Sequence, residues 1–250
     1  MAITAILSAL AEEQQGLLGQ LGDARRVERA GREFWLGDWH GQTVVLGLSR
    51  IGKVAAATTA TALIEHFAVQ RVVFTGVAGA LGDKVKVGDV VVASQFVQHD
   101  MDASPLFPRF EIPLYGQSLF SCDASLTAAL LDASRSTLLA MNSLAGNDSL
   151  ATRPVVHHGL VATGDRFVST AQASSALRRS LRSAGMDPLA VEMEGAAVAQ
   201  VCHDYGVPFG AVRTVSDRAD DSATSDFQHF VTHVASHYTR GIVEHFLRGP

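Results

Sequence analysis

Four predicted strands are each followed directly by residues that could carry chemistry, and for two of these strands the candidates are acids. Glu12 and Glu13 follow the first apolar run of the chain, and Asp217 follows the apolar run Phe209–Val215. Ligands of α/β sheets bind outside the carboxyl ends of the strands, so parallel strands would bring these acids to one crevice. Burial would raise the pKa of Asp217 and make it a general acid, although the same side chain could merely cap the next turn.

Two further carboxylates, Glu192 and Glu194, bracket Met193 in an otherwise apolar stretch. Acids in the first turn of a helix stabilise it by about 0.3–1 kcal/mol, which accounts for one of them. An unpaired buried carboxylate is costly, and a polar ligand such as the hydroxyls of a sugar would satisfy the other. Arg213 lies inside an apolar strand, so we expect it to pair with a buried carboxylate, either Glu13 or Glu194.

A glycine-rich segment, Gly76–Gly82, follows the predicted strand Arg71–Thr75. Its spacing is GxxGxxG, which differs from the GxGxxG of dinucleotide sites, and Asp83 interrupts any phosphate loop before Lys84. A tight turn that needs positive φ is slightly favoured over a close approach of backbone N–H groups to a ligand.

Other clusters favour no additional chemistry. Catalytic zinc needs three well-placed ligands, and neither His99–Asp102 nor His157–His158 has a recurring ligand spacing, so we expect turn and surface roles and no metal. The sequence contains no GxSxG elbow. The apolar segment Leu106–Phe110 is either a plug in the core or a contact with a partner.

Apolar, β-rich runs alternate with helical patterns along the whole chain. The run Val72–Phe74 lacks polar alternation, which is typical of strands covered on both faces. The alternation predicts one three-layer α/β/α domain over residues 1–250, with helices outside a central mixed, twisted sheet. The predicted strands are Ala2–Ser8, Glu33–Gly37, Thr43–Leu48, Arg71–Thr75, Asp89–Val97, Val155–Ala162 and Phe209–Val215. The predicted helices begin near Glu12 and cover Ile51–Phe67 (capped by Ser49), Leu126–Leu139, Thr170–Arg182, Glu192–Tyr205 and Asp226–Leu247. A hairpin is predicted through His40-Gly41, and Val155–Ala162 leads to the segment Thr163–Phe167.

Composition narrows the class of protein. The 250 residues are 47% hydrophobic and 18% charged, which is typical of a soluble protein with a sizeable core. The formal net charge of −5 disfavours a nucleic-acid surface. Cys122 and Cys202 cannot form a disulfide framework, which favours a reducing compartment. The apolar runs are shorter than the roughly 20 residues that span a bilayer, and no basic residue precedes the first, so we expect a cytoplasmic protein with no membrane partner.

Several motifs occur in a specific order, and the last two are the most specific. They are Ser49–Ala56, Thr75–Gly79, Val87–Val92, His99-Asp100, Thr163–Asp165, the VEME run Val191–Glu194 and the RxxSD run Arg213–Asp217. With these motifs the chain resembles the nucleoside phosphorylase/nucleosidase superfamily, nearly from end to end.

The resemblance implies a catalytic group. Asp217 would protonate N7 of adenine, and Ser216 would help to place it. Glu13, or Glu12 in the alternative register, would be the general base for the attacking water. Arg213 would organise Glu13, the ribose-binding glutamate and the water. No cofactor is implied.

The resemblance also implies a binding pocket. Glu194 would hold the ribose hydroxyls and Met193 would pack on the sugar. Phe167 would stack on the purine, and backbone groups of Val168 would read its edge. Phe227 would line the pocket for the 5′ substituent. The remaining expected binding residues are Glu192, Val77, Ala78, Gly79, Ile51 and Leu10.

In this superfamily a neighbouring subunit completes the pocket for the 5′ substituent. The resemblance therefore implies a homodimer in which Leu106, Phe107 and Pro108 lie near the neighbouring site.

The implied activity is hydrolysis of the N-glycosidic bond of 5′-methylthioadenosine, S-adenosylhomocysteine or a close 5′-modified adenosine. Phosphorylases of the superfamily use arginines where this chain has Phe74, Ala9 and Leu10, and Glu13 would repel phosphate, so water is favoured. A futalosine-type hydrolase, a purine nucleoside phosphorylase and, more remotely, a non-catalytic nucleoside-binding module remain open.

The chain departs from the superfamily pattern at three positions. Val77 replaces a common serine, Arg50 a common glycine and Leu10 a common methionine. Arg50 adds a charge near the rim of the expected pocket, which leaves a substrate with a phosphate or a carboxylate open.

Overall fold

The computed structural model describes residues 3–144 and 153–249. The strands of the described part are β1 (Ile3–Ser8), β2 (Gly22–Arg29), β3 (Arg32–Trp39), β4 (Gln42–Leu48), β5 (Arg71–Ala80), β6 (Val90–Gln98), β7 (Leu119–Ser121), β8 (Val156–Thr163), β9 (Ala190–Glu192) and β10 (Phe209–Asp217). Its α-helices are α1 (Lys53–Phe67), α2 (Ala124–Leu144), α3 (Ala171–Ser183), α4 (Gly195–Tyr205), α5 (Ala223–His233) and α6 (Ala235–Arg248). Ala2, the first residue of a predicted strand, lies outside the described residues.

The strands form one mixed sheet in the order β10-β6-β8-β9-β5-β1-β4-β3-β2, with β7 paired to β6. Because β10 also pairs with β5, the strands β10, β6, β8, β9 and β5 close into a ring. β1, β5 and β10 are parallel, so their carboxyl ends meet at one edge, as expected. β8 runs antiparallel to these three strands, since β8 is parallel to β6 and β6 is antiparallel to β10.

Helices cover both faces of the sheet. Helices α1 and α4 bury alanines and large apolar side chains against one face, in a cluster that includes Val72 and Phe74. Helices α2, α5 and α6 pack on the other face, in a cluster that includes Val73. Neighbouring residues of β5 thus point into opposite cores, which confirms the three-layer α/β/α prediction and explains the continuous apolar run.

Local structure differs from prediction at both ends of the chain. The helix predicted from Glu12 is wrong, because the segment forms turns and a short 3₁₀ turn at Leu18–Gln20. Gly16 has a φ of 85°, which no helix accommodates. The predicted helix Asp226–Leu247 is two helices, because Val234 leaves helical geometry with a φ of −124°.

The predictions for the residues before and at the start of α1 are partly confirmed and partly wrong. The hairpin through His40-Gly41 is confirmed as the β3–β4 connection. Ser49 does not cap α1; its hydroxyl donates to the carbonyl of Arg50, and Gly52 occupies the cap position. Strand β2 was not predicted, and it pairs with β3 at the end of the sheet order.

The composition of the helices and the burial of the two cysteines each bear on a sequence-based expectation. In residues 3–144 and 153–249, no helix has the length and the apolar composition that crossing a membrane requires. Cys122 and Cys202 are free thiols, and burial raises the pKa of each to about 12. Both thiols are therefore poor nucleophiles near neutral pH.

Candidate active site

A cavity of about 420 Å³ opens at the carboxyl ends of β1, β5 and β10. All the expected substrate-binding residues line it, together with Glu13 and Asp217. Its lining is Ala9, Leu10, Glu13, Ile51, Val77, Ala78, Gly79, Arg166, Phe167, Val168, Val191, Glu192, Met193, Glu194, Ser216, Asp217, Thr224, Phe227 and Gln228. Arg213 does not line this cavity.

Glu13 lies on the cavity wall beyond the end of β1, with 2% of its surface exposed. Its Oε2 accepts hydrogen bonds from the N–H groups of Ala9 (2.8 Å) and Leu10 (2.9 Å), and its Oε1 accepts from the N–H of Val77 (3.0 Å). Burial raises the pKa of Glu13 above its ordinary value, against the opposing effect of these donors. A buried carboxylate held in this way is a stronger base than one in water. Glu12 is exposed and lines no part of the cavity, so the alternative register is wrong.

Asp217 is the last residue of β10 and is 2% exposed. Its Oδ1 accepts from the N–H of Ala219 and its Oδ2 from the hydroxyl of Ser216, both at 2.8 Å. Burial raises the pKa of Asp217, which favours the protonated acid. The side chain therefore braces the following turn and also faces the cavity.

Two glycines of β5 make room for these two acids. β5 runs through Gly76 and Gly79 to Ala80, so the favoured interpretation of a tight turn is wrong. A Cβ at Gly76 would lie 2.9 Å from Oε1 of Glu13, and a Cβ at Gly79 would lie 2.8 Å from Oδ1 of Asp217. The close approach to the backbone is made by the protein's own carboxyl groups.

Arg213 and Glu192 form a buried ion pair beside the cavity. Nη2 of Arg213 lies 2.8 Å from Oε2 of Glu192, and the guanidinium lies over the ring of Phe74 at 4.1 Å. The expected pairing with Glu13 or Glu194 is wrong, as is direct organisation of these two by Arg213. The strands explain the difference, because β9, which ends in Glu192, and β10, which carries Arg213, both pair with β5.

Glu192 has donors for both of its carboxylate oxygens. The hydroxyl of Thr163 and the N–H of Gly195 donate to it in addition to Arg213. Although Glu192 borders the cavity, the protein itself supplies its counter-charge and its hydrogen-bond donors.

Among the described residues, Glu194 has a single donor, the N–H of Gly52, which lies 2.9 Å from its Oε1. The pKa of Glu194 is raised to about 8, first by burial and then by the negative charge of Glu192. It faces the cavity, where a hydroxyl-bearing ligand would supply the partners that the protein does not.

Two aromatic rings form another part of the wall. Phe167, 40% exposed, meets Phe227 edge-on, with ring centroids 5.5 Å apart. Phe167 lies in the loop after β8, which reaches this cavity although β8 runs antiparallel to β5. An exposed aromatic face beside an open cavity can stack on a planar base.

The sequence prediction missed five lining residues, Ala9, Arg166, Val191, Thr224 and Gln228. Thr224 and Gln228 are four residues apart on α5 and share the helix face near Phe227, a spacing that the sequence did contain. Arg166 adjoins Phe167, but the pattern gave no sign of where its side chain points.

The segment Leu106–Phe110 divides into two parts. Phe110 is 2% exposed and packs in an apolar cluster with Val97 and Val168, so it is a plug in the core. Leu106 is 84% exposed, and no residue of the segment lines this chain's own cavity.

The histidine clusters also differ from expectation. His99 lies in the turn that follows β6, as predicted, but it is buried and not at the surface, and its Nε2 has no partner among the described residues. His157 lies 2.8 Å from the buried Asp89, while His158 is exposed. The described ranges contain no group of three His, Cys, Asp or Glu side chains that could hold a metal ion.

This arrangement has counterparts among known proteins. The model of the phosphorylase superfamily matches residues 4–248, so the chain belongs to that superfamily. The chain is 35% identical to the 5′-methylthioadenosine/S-adenosylhomocysteine nucleosidase of Shewanella denitrificans over 95% of this chain and 96% of that protein. It is 33% identical to an aminodeoxyfutalosine nucleosidase of Helicobacter pylori over 96% of this chain and 97% of that protein.

A solved structure has the same architecture. It is a 5′-methylthioadenosine/S-adenosylhomocysteine nucleosidase from Neisseria meningitidis in complex with methylthio-immucillin-A. The TM-score is 0.86 at 30% identity, over 99% of both chains.

Proposed function

We propose that this protein hydrolyses the N-glycosidic bond of a 5′-substituted adenosine, 5′-methylthioadenosine or S-adenosylhomocysteine, to adenine and the thioribose. The observation that carries the proposal is the pair of buried carboxyl groups, Glu13 and Asp217, set against Gly76 and Gly79 of one strand and facing one cavity. Three residues of a strand span about 10 Å, which leaves room for a nucleoside between the acids.

Asp217 acts as the general acid. Its raised pKa keeps the proton that N7 of adenine receives as the bond between C1′ and N9 breaks, so the base leaves neutral. The hydroxyl of Ser216 orients the carboxyl group. A positioned acid contributes roughly 10²–10⁴-fold in rate.

Glu13 acts as the general base. It takes a proton from water as the water oxygen bonds to C1′, and its negative charge stabilises the positive charge that develops on the sugar. Glu194 accepts hydrogen bonds from the ribose hydroxyls, and Met193 packs on the sugar. Phe167 stacks on the purine, the backbone of Val168 reads its edge, and Phe227 contacts the 5′ substituent.

Water is favoured over phosphate as the nucleophile. The backbone N–H groups of Ala9 and Leu10, which could otherwise cradle an anion, donate to Glu13. The carboxylate of Glu13 would also repel phosphate at short range. Arg213 serves as a positioning residue, since its charge lowers the pKa of Glu13 without a direct hydrogen bond.

The pocket for the 5′ substituent is proposed to be completed in a homodimer. Ile51 is 56% exposed at the rim of the cavity, and Leu106 is 84% exposed. Leu106, Phe107 and Pro108 of one subunit would cover the rim of the other, and sedimentation equilibrium measures the mass. We place the enzyme in the cytoplasm, where its products would enter methionine salvage.

The test replaces each acid by its amide. Asp217→Asn and Glu13→Gln should each lower kcat for adenine release from 5′-methylthioadenosine by about 10²–10⁴-fold, because one loses the proton donor and the other the base. The measurement is the ultraviolet change on release of the free base. Asp221→Asn, which changes an exposed acid four residues after Asp217, should keep the wild-type rate.

Wild-type rates in either amide variant would refute the mechanism. A rate for the wild-type protein that rises in proportion to added phosphate would instead make it a phosphorylase. Binding of the nucleoside without release of adenine would make it a non-catalytic module.

A further inference from the structure

A second cavity, of about 560 Å³, adjoins the proposed active site. The two cavities share Ala9, and consecutive residues border them, since Ile51 lines the first and Arg50 the second. The lining of the second cavity is Ala9, Glu28, Arg29, Ala30, Gly31, Arg32, Glu33, Leu48 and Arg50. A group that leaves the first cavity past Ile51 therefore meets this set of residues.

Three arginines line the second cavity without a carboxylate partner. In the part of the chain that the structure describes, Arg29, Arg32 and Arg50 form no ion pair with an acid. Their hydrogen bonds go to neutral groups. Arg50 donates to the carbonyl of Gly31 (2.7 Å), Arg32 to the hydroxyl of Thr59 (2.8 Å), and Arg29 to Nδ1 of His66 (3.2 Å).

The two acids of the lining are already paired. Glu28 and Glu33 both contact the guanidinium of Arg26, which does not line the cavity. Because both acids share this one guanidinium, Arg26 and the three arginines of the lining outweigh the two acids by two positive charges, and an anion that enters the cavity meets no unpaired carboxylate of the lining.

Arg50 is held in a conformation that favours glycine. Its φ is 64°, in the left-handed region, where a side chain costs conformational energy. Burial lowers the pKa of Arg32, and the positive charge of Arg50 lowers it further, so the two guanidinium groups repel each other. This electrostatic repulsion falls when a negatively charged group lies between the two guanidinium groups.

We propose that the arginine cavity binds a carboxylate at the far end of the substrate's 5′ substituent, and that Arg50 determines this specificity. This inference rests on the proposed function, because it takes the first cavity to hold the nucleoside. A guanidinium presents two parallel donors to a carboxylate, which suits recognition of a planar anion. A 5′ chain that passes Ile51 and Ala9 would meet Arg50, because Ile51 lines the first cavity, Arg50 lines the second, and Ala9 lines both.

The experiment compares pairs of substrates that differ in one charge. Each pair is a 5′-S-(ω-carboxyalkyl)-5′-thioadenosine and its primary amide, with two, three or four methylene groups in the chain. At the best chain length, the wild-type kcat/KM should be about tenfold higher for the acid than for the amide, as a partly exposed charged hydrogen bond provides. Arg50→Gln should bring the ratio of acid to amide close to one.

A matched variant controls for the loss of one positive charge. Arg135 is an exposed arginine of α2 that lines neither cavity, so Arg135→Gln should retain the wild-type ratio. Raising the salt concentration should reduce the preference for the acid in the wild-type protein.

Three results would overturn the inference. The first is a ratio of kcat/KM for acid to amide near one in the wild-type protein at every chain length, which a cavity filled by a neighbouring subunit would also give. The second is a preference for the acid that survives in Arg50→Gln. The third is a rate with 5′-methylthioadenosine that rises with inorganic phosphate. The last result would make the arginines a site for the nucleophile. Cleavage of 5′-methylthioadenosine separates the two proposals. If 5′-methylthioadenosine is cleaved but each acid reacts no faster than its amide, only the arginine site fails. If 5′-methylthioadenosine is not cleaved, the proposed function fails.

Discussion

Glu192 and Glu194 are two residues apart, equally buried at 6% exposure, and yet have opposite environments. Glu192 receives donors from Arg213, Thr163 and Gly195, so the protein itself supplies its counter-charge and its hydrogen bonds. Glu194 receives one backbone N–H, and its pKa is raised to about 8. The charged form of Glu192 is therefore stabilised by its surroundings, whereas the charged form of Glu194 is destabilised by its surroundings.

The difference shows how a short acidic motif divides its work. The paired glutamate anchors the end of β9 to β10, while its charge raises the pKa of the neighbour that faces the cavity. A buried acid with too few hydrogen-bond donors is suited to bind a ligand, because the hydroxyl groups of the ligand lower the energy of the acid more than water in the cavity does. Replacing each acid by its amide should then change stability in opposite directions.

The largest effect is expected for Glu192→Gln. The amide leaves the buried guanidinium of Arg213 without a counter-charge, which should lower the free energy of unfolding by about 3–5 kcal/mol. The urea midpoint at neutral pH measures the loss. Glu33→Gln, in an exposed ion pair with Arg26, is the matched control and should keep a urea midpoint close to that of the wild-type protein.

A double variant tests whether the unpaired charge is the cause. Adding Arg213→Met to Glu192→Gln removes the charge and should restore part of the lost stability. If Glu192→Gln alone unfolds at the wild-type midpoint, the ion pair does not anchor β9.

Glu194→Gln should have a smaller effect of the opposite sign. In the wild-type protein the pKa of Glu194 is about 8 when folded, against an ordinary value of 4.5. The folded protein thus holds a proton that the unfolded chain releases, so this group makes stability fall as pH rises from about 5 to about 8. The variant should lack that decline and be more stable at pH 8, by roughly 1–3 kcal/mol.

Thermal unfolding of the ligand-free proteins between pH 5 and 8 measures this difference. KM for 5′-methylthioadenosine should rise at the same time, because the amide is a weaker acceptor for the ribose hydroxyls. Parallel curves of Tm against pH for the two proteins would show that Glu194 is not the unsatisfied acid.

The smallest effect is expected for Thr163→Val. The hydroxyl of Thr163 donates to Glu192 and accepts from the N–H of Ala196 (2.9 Å), so its removal leaves two buried groups short of a partner. We expect a loss of about 1–2 kcal/mol in the free energy of unfolding and little change in the pH dependence of stability. A change in that pH dependence as large as in Glu194→Gln would contradict the division between the two glutamates.

Much of the fold could be predicted, because alternating strands and helices leave a strong pattern in the chain. β2 was missed because its sequence, GDARRVER, is charged and mostly exposed, so no apolar alternation marks it. The helix expected from Glu12 failed because Gly16 turns the backbone to positive φ. The break at Val234 carries neither glycine nor proline, so no residue type marks the point where the two helices meet.

The acids of the candidate site could be predicted because each follows a strand end or sits in an apolar stretch. The partner of Arg213 could not, because it depends on how β9 and β10 pair with β5 in space. The role of the glycines was also missed. Their spacing resembles a turn, and only the positions of Glu13 and Asp217 reveal what the missing side chains make room for.

The glycines of β5 therefore set a limit on how this protein can be changed. At Gly76 and Gly79 a single added methyl group would meet an acid oxygen at under 3 Å, so even alanine forces one of the two reactive groups to move. Random libraries aimed at altering the substrate have freedom along the rim of the cavity and almost none at these two positions. Engineering that spares these two positions keeps the chemistry intact while the outer wall is rebuilt.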